Sequence, residues 1–395
     1  MYNCGPTVYD YVHIGNLRSF LLADILRRLF EWNGYEVTQV MNITDIGYLR
    51  PEGSDEEDKM TKGLKREGKS LNLNSMKELA DFYTEKFLQD LKALNAKKPD
   101  KMPKASEHIA EDIEMIKTLL DKKSAYKTSD GIYFDTESFP EYGKLGNLTL
   151  QIKDDTHARV ETNKEKKDFR DFALWKFSET GFDSPWGKGF PGWHIECSAM
   201  SMKYLGETFD VHTGGIDLST THHNNEIAQS ESASGKPFVK YWLHNAFVNW
   251  SGDKMAKSAG NFTRLIDLIK EGYSPIAYRL LLLQSHYNTP MNFSYEALSG
   301  AQEALYGIYK TLSQFKDGGT ANQEHIEKFT ETINDDLNTP KAIAILFELL
   351  KSDIDGAAKL ATALQFDEFL GLEIKEGIAL LKKEIAEIPE EVKTL

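Results

Sequence analysis

The stretch at residues 4–16, CGPTVYDYVHIGN, constrains the fold of this chain more than any other. An apolar start ends at Gly5-Pro6, and apolar residues then recur at helical spacing over residues 17–32, with Gly34 as the predicted C-cap. Residues 36–43 are rich in β-branched and apolar residues and predict a second strand. The pattern therefore predicts the βαβ start of an open sheet, although it lacks the G-x-G-x-x-G dinucleotide fingerprint.

The junction between the first strand and the first helix is a predicted ligand site. In an open α/β sheet, ligands bind outside the carboxyl ends of the strands. The free N–H groups and the dipole of a helix N-terminus also favour a phosphate. His13 stands two residues before Gly15 at this junction. From the local sequence alone, His13 is either a surface histidine at a helix start or a contact to a nucleotide phosphate.

The rest of the chain predicts an insertion in the α/β part and a helical part after it. The predicted elements are helices at residues 75–94, 106–120, 339–350 and 375–385 and a short strand at residues 131–135. Pro99 and Pro103 break the helical pattern that begins at residue 75. Because residues 95–190 mix helix, strand and polar loops, we expect them to form an insertion between two halves of the α/β domain.

Composition limits the class of protein. The chain has 395 residues, enough for two or three domains, and only two cysteines, which favours a reducing compartment, with the cytoplasm as the expected location. It carries no apolar run near the roughly 18 residues of a membrane span and no secretory signal pattern, so no membrane partner is expected. The net charge of −14 counts mildly against a generic nucleic-acid binder but allows a local basic face.

Three later segments carry residue types that suit a ligand site. The turn at residues 191–192 is followed by Trp193 and Cys197 at the start of a helical pattern. A strand predicted at residues 208–211 ends at Gly214-Gly215, which either lets backbone approach a ligand closely or makes a tight turn. Thr44 follows the second predicted strand, where its hydroxyl either lines a ligand pocket or belongs to a turn.

Cysteine, histidine and glutamate residues form a possible metal site. His222 and Glu226 are four residues apart and share one face of a predicted helix. With Cys4 and Cys197 they offer two thiols, one imidazole and one carboxylate, a set that suits tetrahedral zinc. The spacing also allows His223 to be the ligand in place of His222. The alternative to a metal site is that the two cysteines are small buried residues that bind no metal.

Two lysines late in the α/β part suit a polyphosphate. Lys254 and Lys257 bracket a small turn in the stretch GDKMAKSAGN. Mobile lysines on such a loop match the charge that develops on a polyphosphate during transfer, and an exposed basic loop is the alternative. Lys59 and Lys62 share the Lys-Met-x-Lys pattern, but they lack the serine and lie too early in the chain to form this loop.

Five motifs in order, HIGN, GWHIECSAM, HTGGID, HHNNE and KMAKSAGN, resemble those of the cysteinyl-tRNA synthetases, a family of class I aminoacyl-tRNA synthetases. The resemblance extends from about residue 2 to about residue 350 and includes both cysteines. It implies an α/β fold with a Rossmann-type parallel sheet, followed by an all-α helical bundle that contacts tRNA. The expected parts are a catalytic domain at residues 1–295, its connective insertion at about 95–190, its KMAKS loop at 254–258, and the bundle at 296–395.

The resemblance also assigns roles to individual residues by motif match. One zinc ion per chain is assigned to Cys4, Cys197, His222 and Glu226, which selects His222 over His223. The cysteine pocket is assigned to Gly5, Thr44, Trp193 and Asp217. The ATP contacts are assigned to His13, Gly15, Asn16, Gly214, Gly215, Asp217 and Lys257. The catalytic residues are assigned to His13, Asn16, Lys254 and Lys257.

The chain departs from the family pattern at a few positions. The phosphate loop has Ala256 where the family has serine, and Asn16 replaces the last histidine of the HIGH motif. Asn224 stands where the family usually has an acid, while Glu226 is retained. The family's small C-terminal anticodon-binding part is expected to be missing or cut short.

The resemblance predicts activation of L-cysteine by ATP, with Mg²⁺, and transfer of the cysteinyl group to tRNA(Cys). Zinc explains how cysteine is told from serine, because it binds a thiolate far better than a neutral hydroxyl. We expect a monomer. One alternative is a ligase of the same fold that joins cysteine to an amino sugar. The other is a non-catalytic zinc- or cysteine-binding relative, against which the intact HIGN motif and both KMAKS lysines argue.

Overall fold

The computed structural model describes residues 1–48, 58–146, 163–250, 253–254 and 262–387. Two compact units make up the chain. The first unit contains Met1–Val12, Thr38–Leu88 and Pro99–His244. The second unit contains His13–Val37, Gln89–Lys98 and Asn245–Leu395. Among the described helices, none combines the length and the apolar content needed to cross a membrane.

A four-stranded sheet lies at the centre of the first unit. Its strands, in spatial order, are β2 (Val40–Met41), β1 (Tyr2–Asn3), β7 (Phe209–Gly215) and β8 (Val239–Asn245). β1 runs parallel to both of its neighbours, with Tyr2 opposite Val40 on one side and His212 on the other. Because neighbours on both sides of β1 run parallel to it, their carboxyl ends meet at one edge of the sheet, where ligands bind in such folds. The predicted parallel-sheet α/β fold is therefore confirmed.

Six described helices belong wholly or mainly to the first unit. They are α2 (Lys59–Arg66), α3 (Leu73–Ala93), α4 (Ile109–Asp121), α5 (Trp193–Leu205), the single turn α6 (Ile216–Ser219) and α7 (His222–Ser234). The predicted helices at residues 75–94 and 106–120 correspond to α3 and α4. α5 and α7 each contribute to the core of the parallel sheet, through Cys197 and Ile227, which pack with Tyr2 and Phe209. This packing brings both helices to the central strand.

The predicted insertion contains an antiparallel sheet of four strands. They are β3 (Ala125–Lys127), β4 (Gly131–Phe134), β5 (Phe172–Phe182) and β6 (Gly189–Pro191), in that order. The predicted strand at residues 131–135 corresponds to β4, whereas β5 was not predicted. Leu174 and Trp175 of β5 are buried in a core that α4 shares, together with Ile195 of α5 and Ala228 of α7. The insertion thus supports the two helices that carry candidate metal ligands.

The predicted strand at residues 36–43 is shorter in the structure. Only Val40–Met41 forms β2, because its partner β1 has two residues and the opposite edge meets an irregular segment. That segment makes isolated bridges to Val40 and Ile43, and it contains Pro103, which has no N–H to donate to a regular ladder.

The second unit is mainly helical. Its helices are α1 (Ile14–Trp32), α8 (Leu265–Lys270), α9 (Pro275–Leu283), α10 (Tyr295–Leu312), α11 (Gln323–Asn334), α12 (Thr339–Lys351), α13 (Gly356–Leu370) and α14 (Ile374–Glu387). A small sheet joins β10 (Asp253–Lys254), β9 (Val248–Trp250) and β11 (Met291–Phe293). The helices predicted at residues 17–32, 339–350 and 375–385 are confirmed. Several of these helices begin at a residue whose side chain caps the helix. Ser274, for example, precedes Pro275, and its hydroxyl accepts a hydrogen bond from the Ile276 N–H.

A buried ion cluster holds the second unit together. Asp24 accepts hydrogen bonds from Arg28 at 2.9 Å and from Arg279 at 2.7 Å, and its other oxygen accepts from the Lys97 N–H at 2.8 Å. Arg279 also donates to the carbonyl of Leu370 at 2.7 Å. Burial alone would raise the pKa of Asp24, but the two guanidinium groups outweigh it and lower that pKa. The cluster thereby connects α1, α9 and α13.

We expect Asp24→Asn to lower the free energy of unfolding by about 3 kcal/mol or more at neutral pH, since two buried guanidinium groups lose their counter-charge. Urea unfolding measures this loss. Glu348→Gln, the same change in an exposed pair with Lys328, is the matched control and should leave stability unchanged. Because the folded pKa of Asp24 lies below its unfolded value, the wild type loses this stabilisation as the pH falls through the folded pKa. Equal losses in the two variants would contradict the role given to the cluster.

Candidate active site and metal centre

The four residues predicted as metal ligands lie together in the first unit. Cys4 follows β1, Cys197 lies on α5, and His222 and Glu226 lie on α7. One ligand atom from each residue lies within 4.8 Å of the corresponding atom of every other. Cys197, His222 and Glu226 are buried and Cys4 is half-buried. Three distant segments thus meet in one cluster, which is called the thiol cluster below.

Local structure explains how each segment presents its ligand. The helical spacing of α7 puts His222 Nε2 3.1 Å from Glu226 Oε1. On α5, Cys197 comes one turn after Trp193, and the helix is entered from β6 through Gly192. A Cβ at Gly192 would lie 1.9 Å from the carbonyl oxygen of Ala173 on β5, so only glycine allows this entry.

Each ionisable group in the thiol cluster shifts the pKa of its neighbours. Burial opposes ionisation of Glu226, but His212 and His222 outweigh it and hold the pKa of that carboxyl well below its usual range. Burial likewise opposes protonation of His222, yet Glu226 and Cys197 raise the pKa of His222 to about 10. A hydrogen bond with Cys4 is the main cause that lowers the pKa of the Cys197 thiol to about 6. Burial is the main cause that raises the pKa of the Cys4 thiol well above its usual range. Cys197 and Glu226 therefore favour the anionic form beside a cationic His222, whereas Cys4 favours the neutral thiol.

A second set of possible ligands shares two residues with the thiol cluster. Cys4, His212, His223 and Glu226 also have ligand atoms within 4.8 Å of one another. His212 Nε2 lies 2.9 Å from Glu226 Oε2, and His223 Nδ1 lies 2.7 Å from His244 Nε2. Since the two sets share Cys4 and Glu226, one ion can be held by one set at a time.

The donor types favour the set with two sulfurs, since zinc binds thiolates well and the outer hydrogen bonds do not separate the sets: His222 Nδ1 has a partner in His194 and His223 Nδ1 has one in His244. His222 Nδ1 is 2.8 Å from His194 Nδ1, which leaves Nε2 directed at Glu226. An outer partner of this kind fixes the tautomer and orientation of a metal-ligating histidine. Two thiols, one imidazole and one carboxylate are also a donor set that zinc accepts. The residues of the thiol cluster fit a zinc ion, and His212 and His223 then fit the role of outer partners.

The residues predicted for the cysteine pocket adjoin the thiol cluster. The Gly5 N–H donates to Asn42 Oδ1 at 2.8 Å, and Asn42 Nδ2 donates to Thr44 Oγ1 at 3.1 Å. Thr44 in turn donates to Glu196 Oε2 at 3.1 Å. The Trp193 ring, 43% exposed, lies 4.2 Å from the His222 ring between centroids. Gly5 follows Cys4 directly, so these groups surround one site.

Gly5 has a structural requirement of its own. A Cβ there would lie 1.6 Å from the carbonyl oxygen of Asn42, a distance that no side chain tolerates. The adjacent strands β1 and β2 therefore approach closely only with glycine at this position. Asn42 then bonds to the Gly5 backbone and the Thr44 hydroxyl at once.

Gly214, Gly215 and Asp217 follow one another at the end of β7. Gly214 and Gly215 close the strand, and Asp217 lies in the first turn of α6, where it is exposed. The predicted strand at residues 208–211 is thus longer in the structure. A Cβ on Gly214 would lie 2.9 Å from the His223 ring, so this glycine is needed for packing against α7.

The remaining predicted ATP and catalytic residues lie in the second unit. His13 Nδ1 accepts from the Asn16 N–H at 3.2 Å and Asn16 Oδ1 accepts from the His13 N–H at 3.4 Å, which caps α1. Gly15 lies in the first turn of the same helix. The backbone of Lys254 lies in β10, whereas its side chain and all of Lys257 fall outside the described residues. The roles of these residues stay predictions.

Several contributors to the site were not predicted from the sequence. Asn42 carries a usable signal, because it stands two residues before Thr44, and alternate residues of an extended segment share a face. His194 and His244 contact the cluster histidines from other elements, α5 and β8, and nothing in their local sequence indicates these partners.

Comparison with known proteins relates the whole chain to one family of enzymes. Residues 1–303 match the model of the tRNA synthetases class I (C) catalytic domain, and residues 328–372 match the DALR domain. A cysteine–tRNA ligase of Burkholderia lata is 43% identical over 407 aligned residues, covering 100% of this chain and 83% of the relative. A cysteine–tRNA ligase of Treponema denticola is 43% identical, covering 97% of this chain and 83% of the relative.

The fold is also similar to that of other class I synthetases. Methionyl-tRNA synthetase of Mycobacterium tuberculosis bound by methionyl-adenylate aligns with a TM-score of 0.65 at 14% sequence identity. The alignment covers 95% of this chain and 91% of that one. At this identity the likeness concerns the fold alone.

Zinc binding distinguishes the two ligand sets. We expect His222→Ala to lower zinc affinity by more than the roughly 10- to 100-fold that losing an outer partner costs, and His223→Ala to stay within that range. Competition with a zinc-binding dye measures both affinities, and elemental analysis should find one zinc per chain. A larger loss in His223→Ala than in His222→Ala would instead assign the ion to the set with His212 and His223.

Proposed function

The chain belongs to the cysteine–tRNA ligase family of class I aminoacyl-tRNA synthetases, and we propose that a zinc ion in the thiol cluster selects its amino acid. Membership of this family establishes the reaction, in which cysteine is activated with ATP and joined to tRNA(Cys). The amino-sugar ligase is not favoured, since the chain matches cysteine–tRNA ligases almost end to end and matches a DALR domain at residues 328–372.

The single observation that supports the zinc proposal is the convergence of Cys4, Cys197, His222 and Glu226 in the thiol cluster. When bound, zinc would favour a thiolate over the neutral hydroxyl of serine. An ordinary pocket separates substrates that differ by so little only weakly. The four side chains would hold the ion, and His194 keeps His222 in one orientation.

The cysteine ammonium is assigned to Thr44 and Asp217. Thr44 has one O–H and two lone pairs. The O–H is donated to Glu196 and one lone pair accepts from Asn42, so one lone pair is left for a donor from the substrate. Asp217 supplies a carboxylate that offsets the positive charge. Gly5 and Trp193 then border the amino acid from the β1 and α5 sides.

The nucleotide contacts rest on the motif match. His13, Gly15 and Asn16 would contact the phosphates at the start of α1, and Gly214 and Gly215 at the end of β7 are assigned to ATP by the same match. Lys254 and Lys257 would stabilise the leaving pyrophosphate, and Mg²⁺ accompanies ATP. Backbone N–H groups at the start of α1 suit a phosphate, which supports this assignment.

The reaction has two steps. A cysteine carboxylate oxygen forms a bond to the α-phosphorus of ATP while the bond to the bridging oxygen breaks, which gives cysteinyl-adenylate and pyrophosphate. A hydroxyl of the 3′-terminal adenosine of tRNA then attacks the carbonyl carbon, and AMP leaves. Positioning and charge stabilisation account for most of this catalysis.

Organisation and location are further parts of the proposal. A catalytic domain at residues 1–295 and a tRNA-contacting helical part at residues 296–395 agree with the family models matched at 1–303 and 328–372. Cys4 and Cys197 are free thiols at the same cluster, and keeping them reduced suits the cytoplasm. A monomer is proposed as the functional unit.

A charging assay tests the function. Purified protein, ATP, Mg²⁺, labelled cysteine and total tRNA should give acid-precipitable label on tRNA. Cysteine-dependent ATP–pyrophosphate exchange without any label on tRNA would keep the activation step but contradict tRNA as the acceptor. Neither signal would contradict the function as a whole.

We expect Thr44→Val to raise the KM for cysteine in ATP–pyrophosphate exchange by about tenfold or more, because an acceptor for a charged ammonium is lost. The KM for ATP should change little. Thr44→Ser keeps the hydroxyl and is the matched control, with a KM close to that of the wild type. A rise in Thr44→Ser with none in Thr44→Val would show that the methyl packing, and not the hydroxyl, carries the effect.

A further inference from the structure

The cysteine pocket contains a cation that the function described above does not use. Lys59 is the first residue of α2, and its Nζ lies 5.3 Å from the centroid of the Trp193 ring. The same ring lies 4.2 Å from the ring of His222 in the thiol cluster. Lys59 therefore places an ammonium group beside the pocket, although the Lys-Met-x-Lys pattern to which it belongs is not the phosphate loop.

The described residues around Lys59 leave its charge available to a ligand. Asp58 is occupied in capping α2, where its Oδ1 accepts from the Met60 N–H at 2.8 Å. Among the described residues, no carboxylate lies within ion-pair distance of the Lys59 ammonium. The Lys59 side chain is exposed, as is that of Lys62 on the same helix. The aromatic face of Trp193 compensates part of the positive charge.

The substrate has one charged group without a partner in the assignments above. Its thiol is assigned to the thiol cluster and its ammonium to Thr44 and Asp217, which leaves the carboxylate. This carboxylate is the nucleophile, and it must approach the negatively charged α-phosphate of ATP. A nearby cation reduces the repulsion between the two anions and fixes the attacking oxygen.

We propose that Lys59 binds the carboxylate of the cysteine substrate and keeps contact with its oxygens in the cysteinyl-adenylate. The inference is based on the position of the Lys59 ammonium over the Trp193 ring, which also contacts the ring of His222 in the thiol cluster. The inference rests on the proposed cysteine pocket. It predicts that recognition by Lys59 depends on the carboxylate and not on the thiol or the amine.

Cysteamine separates these possibilities, because it has the thiol and the amine of cysteine but no carboxylate. Titration calorimetry on zinc-loaded protein without ATP should show that Lys59→Met weakens cysteine binding by about tenfold or more. The same variant should change cysteamine binding less than twofold. Lys59→Arg should recover part of the cysteine affinity, and Lys62→Met, an exposed lysine on the same helix, should match the wild type.

Three results would overturn the inference. Equal weakening of cysteine and cysteamine by Lys59→Met would mean that Lys59 only supports the Trp193 ring. An unchanged affinity for cysteine would mean that Lys59 makes no contact. In ATP–pyrophosphate exchange, a rise of only the KM for ATP in Lys59→Met would mean that the Lys59 ammonium binds the nucleotide and not the cysteine carboxylate.

The same measurements distinguish a wrong assignment of the cysteine pocket from a wrong role for Lys59. If the zinc-loaded wild type binds neither cysteine nor cysteamine, the assignment of the thiol cluster and its pocket is wrong. The proposed role of Lys59 is then wrong as well. If the wild type binds both compounds and the Lys59 variants match it, only the role of Lys59 is wrong. Thermal unfolding followed by circular dichroism establishes that each variant is folded.

Discussion

The buried carboxylate of Glu226 is the group on which the candidate site depends. Its two oxygens lie 2.9 Å from His212 Nε2 and 3.1 Å from His222 Nε2, and the side chain is fully buried. An ionised carboxyl group removed from water is stable only when it is paired. Because its partners lie on β7 and α7, this requirement ties the helix to the sheet beside β1. The position of the Cys4 and Cys197 thiols around it follows from the same packing.

The close approach of β1 and β2 links the metal centre to the amino-acid pocket. Cys4 and Gly5 are consecutive, and the Asn42 side chain bonds both to the Gly5 backbone and to the Thr44 hydroxyl. The groups assigned to the thiol and the ammonium of cysteine therefore include residues that follow two adjacent strands and are connected by these hydrogen bonds. This arrangement explains why a glycine is required at residue 5, where a Cβ would meet the Asn42 carbonyl oxygen. A rigid spacing of this kind suits recognition of a small substrate at both ends.

Sequence patterns predicted the parts of the fold that depend on local chemistry. Helical periodicity placed α1, α3 and α12, and the four-residue spacing of His222 and Glu226 placed both on one face of α7. Spacing could not decide between His222 and His223, because both rings lie beside Glu226 and are oriented by hydrogen bonds with His194 and His244, which lie on other elements. The 11-residue strand β5 and the burial of Asp24 depend on contacts between distant segments, and local sequence carries no signal for them.

We propose that zinc in the thiol cluster distinguishes cysteine from serine, and amino-acid discrimination tests this role most directly. ATP–pyrophosphate exchange with each amino acid is measured on zinc-loaded protein and on folded, zinc-stripped protein, and the ratio of the two kcat/KM values is compared. The account predicts a strong preference for cysteine with zinc, which falls on stripping to at most the roughly 10- to 200-fold of an ordinary pocket. An unchanged preference after zinc removal would contradict it.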